Sequence, residues 1–584
     1  MSGHEPQIKI SIPAAASRLL GALRRAGFEA YVVGGCVRDS LLGRTPGDWD
    51  ICTSARPEQV RTVFSAYRQI LTGEKHGTVA VIVGGTPYEI TTYRVDGQYH
   101  DSRHPDAVQF VPQVQPDLAR RDFTINAMAY APGEGLIDLY GGRSDLHACL
   151  MRCVGDPEER FAEDALRILR AVRLAAQLDF ALEEATERAA LDMRQSIQNI
   201  SAERIYTELD KLLAAPAAGK VLSRYGRILA GAVPEIESCI GCTQPGRWHC
   251  YDVWQHTAVA VELLDVAGMD DKNARILRWS VFLHDLAKPE CRTVGPDGAA
   301  HFPGHNQAGS KMARSILLRL KAPTYLVESA SALVAIHDGA LPSDDAGILN
   351  MLNRYGAAFL QRLCRLKLAD LAAHARNAGV MQREQQVRAF EGRMLELSAT
   401  ACYTVGQLAV NGASLMDAGI APGPAVGKAL NTLLRAVMEG RLPNEKAALL
   451  AALEKGGPAV IYGIGTDLCD VGRIEKSIAR PAFLQHVYTP AEQELIVAHT
   501  GKKQAETAAA NFAAKEAFLK ACGTGLSGFS MAEIAALRQP SGAPYLEFTG
   551  KAARFMAQNH LQAHLSLTHE AGLAGAFVVL ERVE

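Results

Sequence analysis

Three sets of residues along the 584-residue chain have types and spacings that could do chemistry. In YVVGGCVRDSLLGRTPGDWDICT, Gly34-Gly35 follow a β-branched run and precede a predicted helix, so backbone N–H groups can approach an anion there. Arg38 falls on the first turn of that helix, within reach of the same anion. Asp48 and Asp50 are separated by one residue in a predicted strand, which turns both carboxylates to one face. Two carboxylates on one face repel unless a cation lies between them, and Mg²⁺ bearing substrate phosphates is the natural one. Taken singly, the pieces amount to a glycine turn and a solvated Asp-x-Asp.

The second set is His256, His284-Asp285, His305, His337 and Asp370, in that order within a helical region. Imidazole and carboxylate are the ligands of metal phosphohydrolases, and an adjacent His-Asp pair can supply both to one ion. Cys239-x-x-Cys242 followed by His249-Cys250 lacks the second ligand spacing of structural zinc. In the third set, Asp467 follows a predicted strand with glycines nearby, and Lys515-Glu516 and Lys520 fall on a helix. Glu516 and Lys520 stand at i and i+4, which alone would be an exposed ion pair.

The elements that must position these residues divide the chain. FEAYVVGG, DWDICTS, GTVAVIVGG and YEITTYR read as strands of an α/β segment. From about residue 155, periods such as FAEDALRILRAVRLAAQL and AERIYTELDKLL read as long helices, and helices dominate to about residue 455. Gly456-Gly457-Pro458 cannot continue a helix, and a β-rich run follows, so a boundary is expected there. The length fits roughly three to five domains.

Composition narrows the class. Hydrophobic residues at 48% and charged residues at 21% exclude a disordered or fibrous chain. No apolar run approaches the roughly 18 residues of a membrane span. The start, MSGHEPQIKISIPAAA, lacks the basic and apolar regions of a signal peptide, and the 12 cysteines show no disulfide spacing, so a cytoplasmic protein is expected. The net charge of −2 conceals a basic excess of +5 over residues 351–450, against −6 before and −1 after. That excess fits a phosphate-backbone contact or solvated helix faces.

The double glycine and Asp-x-Asp, with Arg120-Arg121-Asp122-Phe123-Thr124-Ile125-Asn126-Ala127 and Glu163-Asp164-Ala165-Leu166-Arg167, resemble class II tRNA nucleotidyltransferases and bacterial poly(A) polymerases. The resemblance implies a multidomain fold: an α/β, polymerase-β-like head, then an all-α neck, body and tail. It further implies two-metal nucleotidyl transfer to an RNA 3′-hydroxyl, with Asp48 and Asp50 as ligands and Glu89 as the third carboxylate. Gly34, Gly35, Arg38, Arg121, Asp122 and Asn126 would bind ribose and triphosphate. Asp164 and Arg167, at i and i+3 on one helix, would read the base of CTP or ATP, with Arg170 alongside. GEKHGTVAV lacks the basic signature of poly(A) polymerases, and the loop RVDGQYHDSRHPDAVQF is one that CC-only enzymes are expected to lack. Together these favour full CCA addition to tRNA and leave an A-only enzyme open.

The histidine–aspartate series resembles the HD phosphohydrolase superfamily. It implies a second divalent metal and either phosphodiesterase or phosphatase activity on RNA ends, or a retained fold without activity. Residues 403–450 resemble the tRNA-binding tail of the same CCA family, with Gly419, Pro422, Gly423 and Gly427 in a tight helix–turn–helix entry.

GIGTDLCDVGRIEK, NFAAKEAFLKACGTG and LSLTHEAGLAGAFVVLE together resemble holo-acyl-carrier-protein synthase over about residues 458–582. That resemblance implies an α+β phosphopantetheinyl transferase using coenzyme A and Mg²⁺, with Asp467 and Glu516 as metal ligands. Lys520 and His569 would meet coenzyme A phosphates, and Arg473 the acidic helix of acyl carrier protein. Thr568 stands where that family is expected to have serine, and a homotrimer with sites between subunits is implied. The expected domains are 1–150 head, 151–240 neck, 241–395 HD, 396–455 tail and 456–584 synthase.

Overall fold

The structure is a computed structural model describing residues 8–96, 108–246, 248–296, 298–454, 461–523, 525 and 529–582. Most of the loop from Arg94 to Phe110, and Gly456-Gly457-Pro458, lie outside the described residues. The chain forms two compact units, residues 1–400 and 401–584.

The first unit begins with a sheet of seven strands: β1 (Ala30–Val33), β2 (Ile51–Thr53), β3 (Arg68–Ile70), β4 (Thr78–Val83), β5 (Thr86–Thr92), β6 (Met128–Ala131) and β7 (Gly135–Asp138). Their order is β3-β4-β5-β2-β1-β6-β7. The central β1 is buried along its whole length, as a strand covered on both faces must be. It pairs antiparallel with β2, Tyr31 opposite Cys52, and β2 pairs parallel with β5, Ile51 opposite Ile90. A short helix, α1 (Gly35–Leu41), leaves the end of β1.

Asp48 and Asp50 lie before β2 rather than inside it, which corrects the predicted strand. Ile51, Cys52 and Thr53 carry the buried side chains, whereas Gly47 and Asp48 are exposed. The Asp50 carbonyl still accepts the Val33 N–H at 3.0 Å, so the segment is held to β1.

Helices follow. The predicted run FAEDALRILRAVRLAAQL is two helices, α2 (Pro157–Glu163) and α3 (Leu166–Leu178). Asp164 breaks them with φ −144° and ψ 102°, and its Oδ1 accepts the Leu166 N–H at 3.0 Å. A short acidic side chain competes for a free helix N–H, which is why the break falls there. The remaining helices that carry site residues are α4 (Val253–Glu262), α5 (Asp271–Leu283), α6 (His305–Arg319), α7 (Thr324–Ile336), α8 (Ala357–Ala372) and α9 (Ala378–Thr400).

In the second unit, Gly419 (φ 93°) and Gly423 (φ 113°) take left-handed turns before α10 (Pro424–Met438). Gly427 lies inside that helix, not in the turn expected to contain it. Farther on come β8 (Ile461–Asp470), α11 (Val471–Ile478), α12 (Gly501–Cys522), β9 (Leu561–Glu570) and β10 (Leu573–Arg582). The three strands are antiparallel in the order β8-β10-β9. Asp467 lies inside β8, not after a strand. Its neighbouring glycines serve close approach rather than a turn: a Cβ on Gly463 or Gly465 would stand 1.9 Å from the carbonyl oxygen of Ala521 or Ala517. The alanine face of α12 therefore lies directly on β8. No helix among the described residues is long and apolar enough to cross a membrane.

Candidate active sites

The head site is built where β1 turns into α1. Gly34 takes φ 82°, and a Cβ there would meet the Arg121 guanidinium at 3.1 Å, so the glycine keeps this arginine close to the helix entry. Arg38 donates to Asn126 Oδ1 at 2.8 Å and to Asp39 at 2.8 Å. Asn126 donates in turn to Asp122 at 3.3 Å, and Asp122 accepts from Arg170 at 2.5 Å. Burial alone would raise the Asp122 carboxyl, but Arg170, Asn126 and Arg167 outweigh it and hold it below the ordinary value. One network thus joins Arg38, Asn126, Asp122 and Arg170.

Asp48, Asp50 and Glu89 form the acidic side of this site. The Asp50 carboxyl is pushed up to about 6, first by burial and then by the charges of Asp48 and Glu89, with Arg121 opposing. A partly buried carboxylate with two other acids near it is a place where a cation is favoured. They are spaced more widely, as a threesome, than the histidine–aspartate groups of the helical region.

Asp164 and Arg167 do not share a helix face as expected. Asp164 pairs with Arg204 at 2.9 Å, while Arg167 is buried, paired with Glu163 and donating to the Arg160 carbonyl at 2.9 Å. Its other nitrogen reaches the Arg120 carbonyl at 3.4 Å, which links α3 to the arginine motif.

The second centre lies among α4 to α8. His256 Nε2 stands 2.8 Å from Asp370 Oδ1 and 3.7 Å from Asp285 Oδ2. His284 Nε2 is 3.2 Å from Asp285 Oδ2, and His305 and His337 Nε2 are each 3.7 Å from Asp285 Oδ1. His284, His305 and His337 all donate Nδ1–H to backbone carbonyls, at 2.7, 2.9 and 2.7 Å. That contact fixes the ring orientation and turns each Nε2 toward the centre, as a lone pair when the ring is neutral. Asp285 Oδ1 is buried without a donor, and Oδ2 meets Lys288 Nζ at 2.7 Å. Burial opposes charge on His284, but Asp285 and Asp370 outweigh it and raise its pKa to about 10. A proton held there is what a divalent cation displaces.

These donors form two overlapping ligand sets, His256–His284–Asp285–Asp370 and Asp285–His305–His337, with Asp285 in both. Sequence reasoning missed a third cluster, His249–His256–His374. The i, i+4 spacing of Asp370 and His374 on one helical stretch was its signal. Cys239 is buried with its thiol against the Leu286 carbonyl, and Cys250 is exposed.

The third site sits where α12 crosses β8. Lys520 Nζ donates to Asp467 Oδ1 at 2.9 Å and to the Thr466 carbonyl at 3.0 Å. Lys520 therefore pairs with the strand aspartate rather than with Glu516. The Glu516 carboxyl is raised by burial and by Asp467, with Lys520 opposing. Arg473 is exposed on α11, whose first turn is capped by Asp470. His569 lies on β9 in the row His569–Ala574–Cys469, two strands from β8. Lys515 is fully buried on Glu492 at 2.6 Å and points away from this group's chemistry.

The CCA-adding enzyme of Geobacillus thermodenitrificans is 35% identical over 437 residues, 74% of this chain and 95% of that protein. The Limosilactobacillus fermentum enzyme is 34% identical over 434 residues, 74% of this chain and 94% of that protein. The chain belongs to the CCA-adding enzyme family. Its N-terminal three quarters thus match nearly the whole of other CCA-adding enzymes, and the C-terminal quarter is additional. Family models agree: residues 30–152 match the poly A polymerase head domain, and 179–237 the "Probable RNA and SrmB- binding site of polymerase A". Residues 306–453 match a tRNA nucleotidyltransferase domain 2, and 463–576 the 4′-phosphopantetheinyl transferase superfamily. Among solved structures, the CCA-adding enzyme of Bacillus stearothermophilus in complex with CTP superposes with a TM-score of 0.54 at 31% identity, covering 76% of this chain and 96% of that one. The chain therefore carries two transferases, a tRNA nucleotidyltransferase and a phosphopantetheinyl transferase.

Within the head, sequence reasoning missed Asp117. It is fully buried, accepts from Arg120 at 2.8 Å and Arg121 at 3.4 Å, and so anchors the double arginine. An acid three and four residues before two arginines was a readable signal.

Proposed function

We propose that the N-terminal unit adds CCA to the 3′ end of tRNA from CTP and ATP, and that the C-terminal domain transfers 4′-phosphopantetheine from coenzyme A to a serine of apo-acyl carrier protein. The observation that carries the first half is the Asp48–Asp50–Glu89 group beside Arg121, with an Asp50 carboxyl raised to about 6 by burial and by the Asp48 and Glu89 charges. Magnesium held by these carboxylates supplies charge neutralisation for the triphosphate and activation of the attacking hydroxyl. The chain's own groups do the positioning. The backbone at Gly34-Gly35 and the guanidiniums of Arg38 and Arg121 take the triphosphate, and Asp122 and Asn126 take the ribose. Asp164, Arg167 and Arg170 form the base-reading wall. All three are engaged in this structure, Arg167 on Glu163 and backbone carbonyls, Asp164 on Arg204 and Arg170 on Asp122, so base reading requires some of these pairs to be exchanged for the nucleotide.

In the C-terminal domain Asp467 and Glu516 would hold Mg²⁺ against the coenzyme A pyrophosphate, an ion that supplies charge neutralisation for the departing 3′,5′-ADP. Lys520, already on Asp467, and His569 approach the phosphates, and Arg473 offers an exposed cation to an acidic carrier. The face of the β8-β10-β9 sheet turned away from α12 exposes Ile464, Leu468 and Phe577. Such an apolar face supports a homotrimer. For the middle of the chain we read residues 241–395 as an HD-type metal phosphohydrolase acting on RNA ends, supported by three Nε2 atoms turned toward Asp285.

Two assays test the reading. Incubation of tRNA lacking its terminus with CTP and ATP should give a three-nucleotide extension that Asp50→Ala abolishes. A poly(A) or A-only enzyme would extend without CTP. Intact mass of apo-acyl carrier protein after incubation with coenzyme A and Mg²⁺ should rise by one phosphopantetheine, and Asp467→Ala should prevent it.

A further inference from the structure

The neck helix Ala202–Leu213 is fastened on two opposite faces. At about 3.6 residues per turn, positions two apart point about 200° from one another, and positions four apart point nearly the same way. Arg204 and Glu208 therefore share one face. Arg204 meets Asp164 at 2.9 Å, and Glu208 meets Arg173 of α3 at 2.5 Å. Tyr206 and Asp210 share the other face and meet α5. The Tyr206 ring stacks on Trp279, with centroids 5.7 Å apart and planes 15° from parallel. Asp210 accepts from Arg275 Nε at 3.0 Å on each of its oxygens, and Oδ1 also accepts the Trp279 N–H at 3.0 Å.

The face toward α5 has a stiff footing. Trp279 is fully buried, and Arg275 also donates to the Tyr325 hydroxyl on α7 at 3.2 Å. The face toward Asp164 carries the pair that base reading must exchange, because an Asp164 engaged with a nucleotide cannot keep all of its contact with Arg204. Asp210 stands six residues from Arg204, about 9 Å along the helix axis at about 1.5 Å per residue. Its side-chain partners, Arg275 and Trp279, belong to α5 and to none of the residues that take triphosphate, ribose or base. It therefore acts on the nucleotide only through the placement of its own helix.

We propose that Asp210 is a positioning residue for nucleotide selection. With Tyr206 it pins the neck helix to α5, and that pin sets where Arg204 stands as Asp164 turns to the base. The inference rests on the reading of Asp164 as part of the base-reading wall. Cytosine and adenine carry an amino group at the edge where uracil and guanine carry a carbonyl oxygen, so a carboxylate acceptor selects the first two. The selection is sharp only while the carboxylate is aimed. Releasing the helix from α5 lets Arg204 and Asp164 shift together, so affinity for CTP and discrimination against UTP fall together.

The full chain is assayed on tRNA lacking its terminus, with Mg²⁺ and either CTP or UTP. Asp210→Ala should raise the KM for CTP about tenfold with a smaller effect on kcat, and should cut the preference for CTP over UTP in kcat/KM about tenfold, the worth of one charged hydrogen bond. A head that merely unfolds loses kcat through its active fraction and keeps its KM. Trp279→Phe preserves the ring stack and removes one donor to Asp210, so a shift of about threefold in the same two quantities is expected. Asp210→Asn, which still accepts the Trp279 N–H, should recover part of the loss. In an Arg204→Ala background Asp210→Ala should add less than about twofold, because both act on one carboxylate. Unchanged KM and selectivity in either Asp210→Ala or Trp279→Phe, or a loss confined to kcat, overturns the proposal. So does an Asp210→Ala loss that multiplies in full with that of Arg204→Ala. Asp164→Ala with its preference for CTP intact overturns the base-reading assignment, and the positioning role with it.

Discussion

The Nε2 atoms of His305 and His337 stand 3.3 Å apart in a buried site, while the Nδ1 of each ring is committed to a backbone carbonyl. Two imidazoles so held turn lone pairs toward each other and toward Asp285 Oδ1. Only a cation or a proton relieves that arrangement. The full chain loaded with Mn²⁺ should therefore retain metal through gel filtration, and Asp285→Asn, which weakens both ligand sets, should lose it. Equal metal content in the two proteins, measured by elemental analysis, would contradict a metal centre.

The parts of this centre that were legible in the sequence were its residue types and their order. Helical periodicity placed His256, His284-Asp285, His305, His337 and Asp370, because each belongs to, or directly abuts, a helix whose apolar face is clear. His249 was not legible as a neighbour of His256, since it sits in an irregular segment, and only tertiary packing brings the rings to 5.5 Å. In the head, the motif residues were readable but their backbone was not. Asp164 was taken into a helix that its own side chain ends, and Asp50 into a strand that starts one residue later. In the C-terminal domain the glycines near Asp467 were legible, but not what they do. A glycine chosen for close packing against α12 carries the same letter as one chosen for a positive φ.

Asp50 gives a pH dependence with a definite sign. Its carboxyl is raised from 3.8 in the unfolded chain to about 6 by burial and by Asp48 and Glu89. The folded state thus binds this proton more tightly, so the group's favourable contribution is present at low pH and is lost as pH rises from about 4 through 6. In the metal-free chain Asp50→Asn should stabilise the head at pH 8, by on the order of 2 kcal/mol, and do little at pH 4. Hydrogen exchange of β1 and β2 measures this without requiring the whole chain to unfold in one step. Magnesium must displace the same proton, so Mg²⁺ affinity should fall as pH drops through about 6. An affinity independent of pH between 5 and 7 would argue against Asp50 as a ligand.

Gly465 is the tightest constraint on the third site. Its Cβ would lie 1.9 Å from the Ala517 carbonyl oxygen and 2.7 Å from the Ala521 nitrogen, both backbone atoms of α12. Gly465→Ala must therefore lift α12 from β8, at a cost of about 1–3 kcal/mol or more. The lift separates Lys520 and Glu516 from Asp467. Phosphopantetheine transfer, read by carrier-protein mass, should fall at least a hundredfold while CCA addition persists. Normal transfer by Gly465→Ala would mean that the crossing of α12 and β8 does not build the site.

Lys515 and Glu492 test what holds α12 in place. Both are fully buried, with Nζ 2.6 Å from the carboxylate and 2.8 Å from the Met531 carbonyl. The carboxylate also accepts from Asn511 at 3.2 Å, from the Ala536 N–H at 3.0 Å and from the Thr489 N–H at 2.9 Å. Burial pulls the Lys515 pKa down, and Glu492 opposes the fall. Removing one member leaves the other as an uncompensated charge, which costs about 3–5 kcal/mol, whereas removing both together costs far less. Lys515→Met should accelerate hydrogen exchange across residues 501–522 by more than a hundredfold, as about 1.4 kcal/mol corresponds to each tenfold. Lys515→Met with Glu492→Gln should return most of that protection. If the double variant exchanges as fast as Lys515→Met alone, the loss came from the lysine's packing on Tyr488, whose ring centroid lies 5.6 Å from Nζ, and not from a stranded charge.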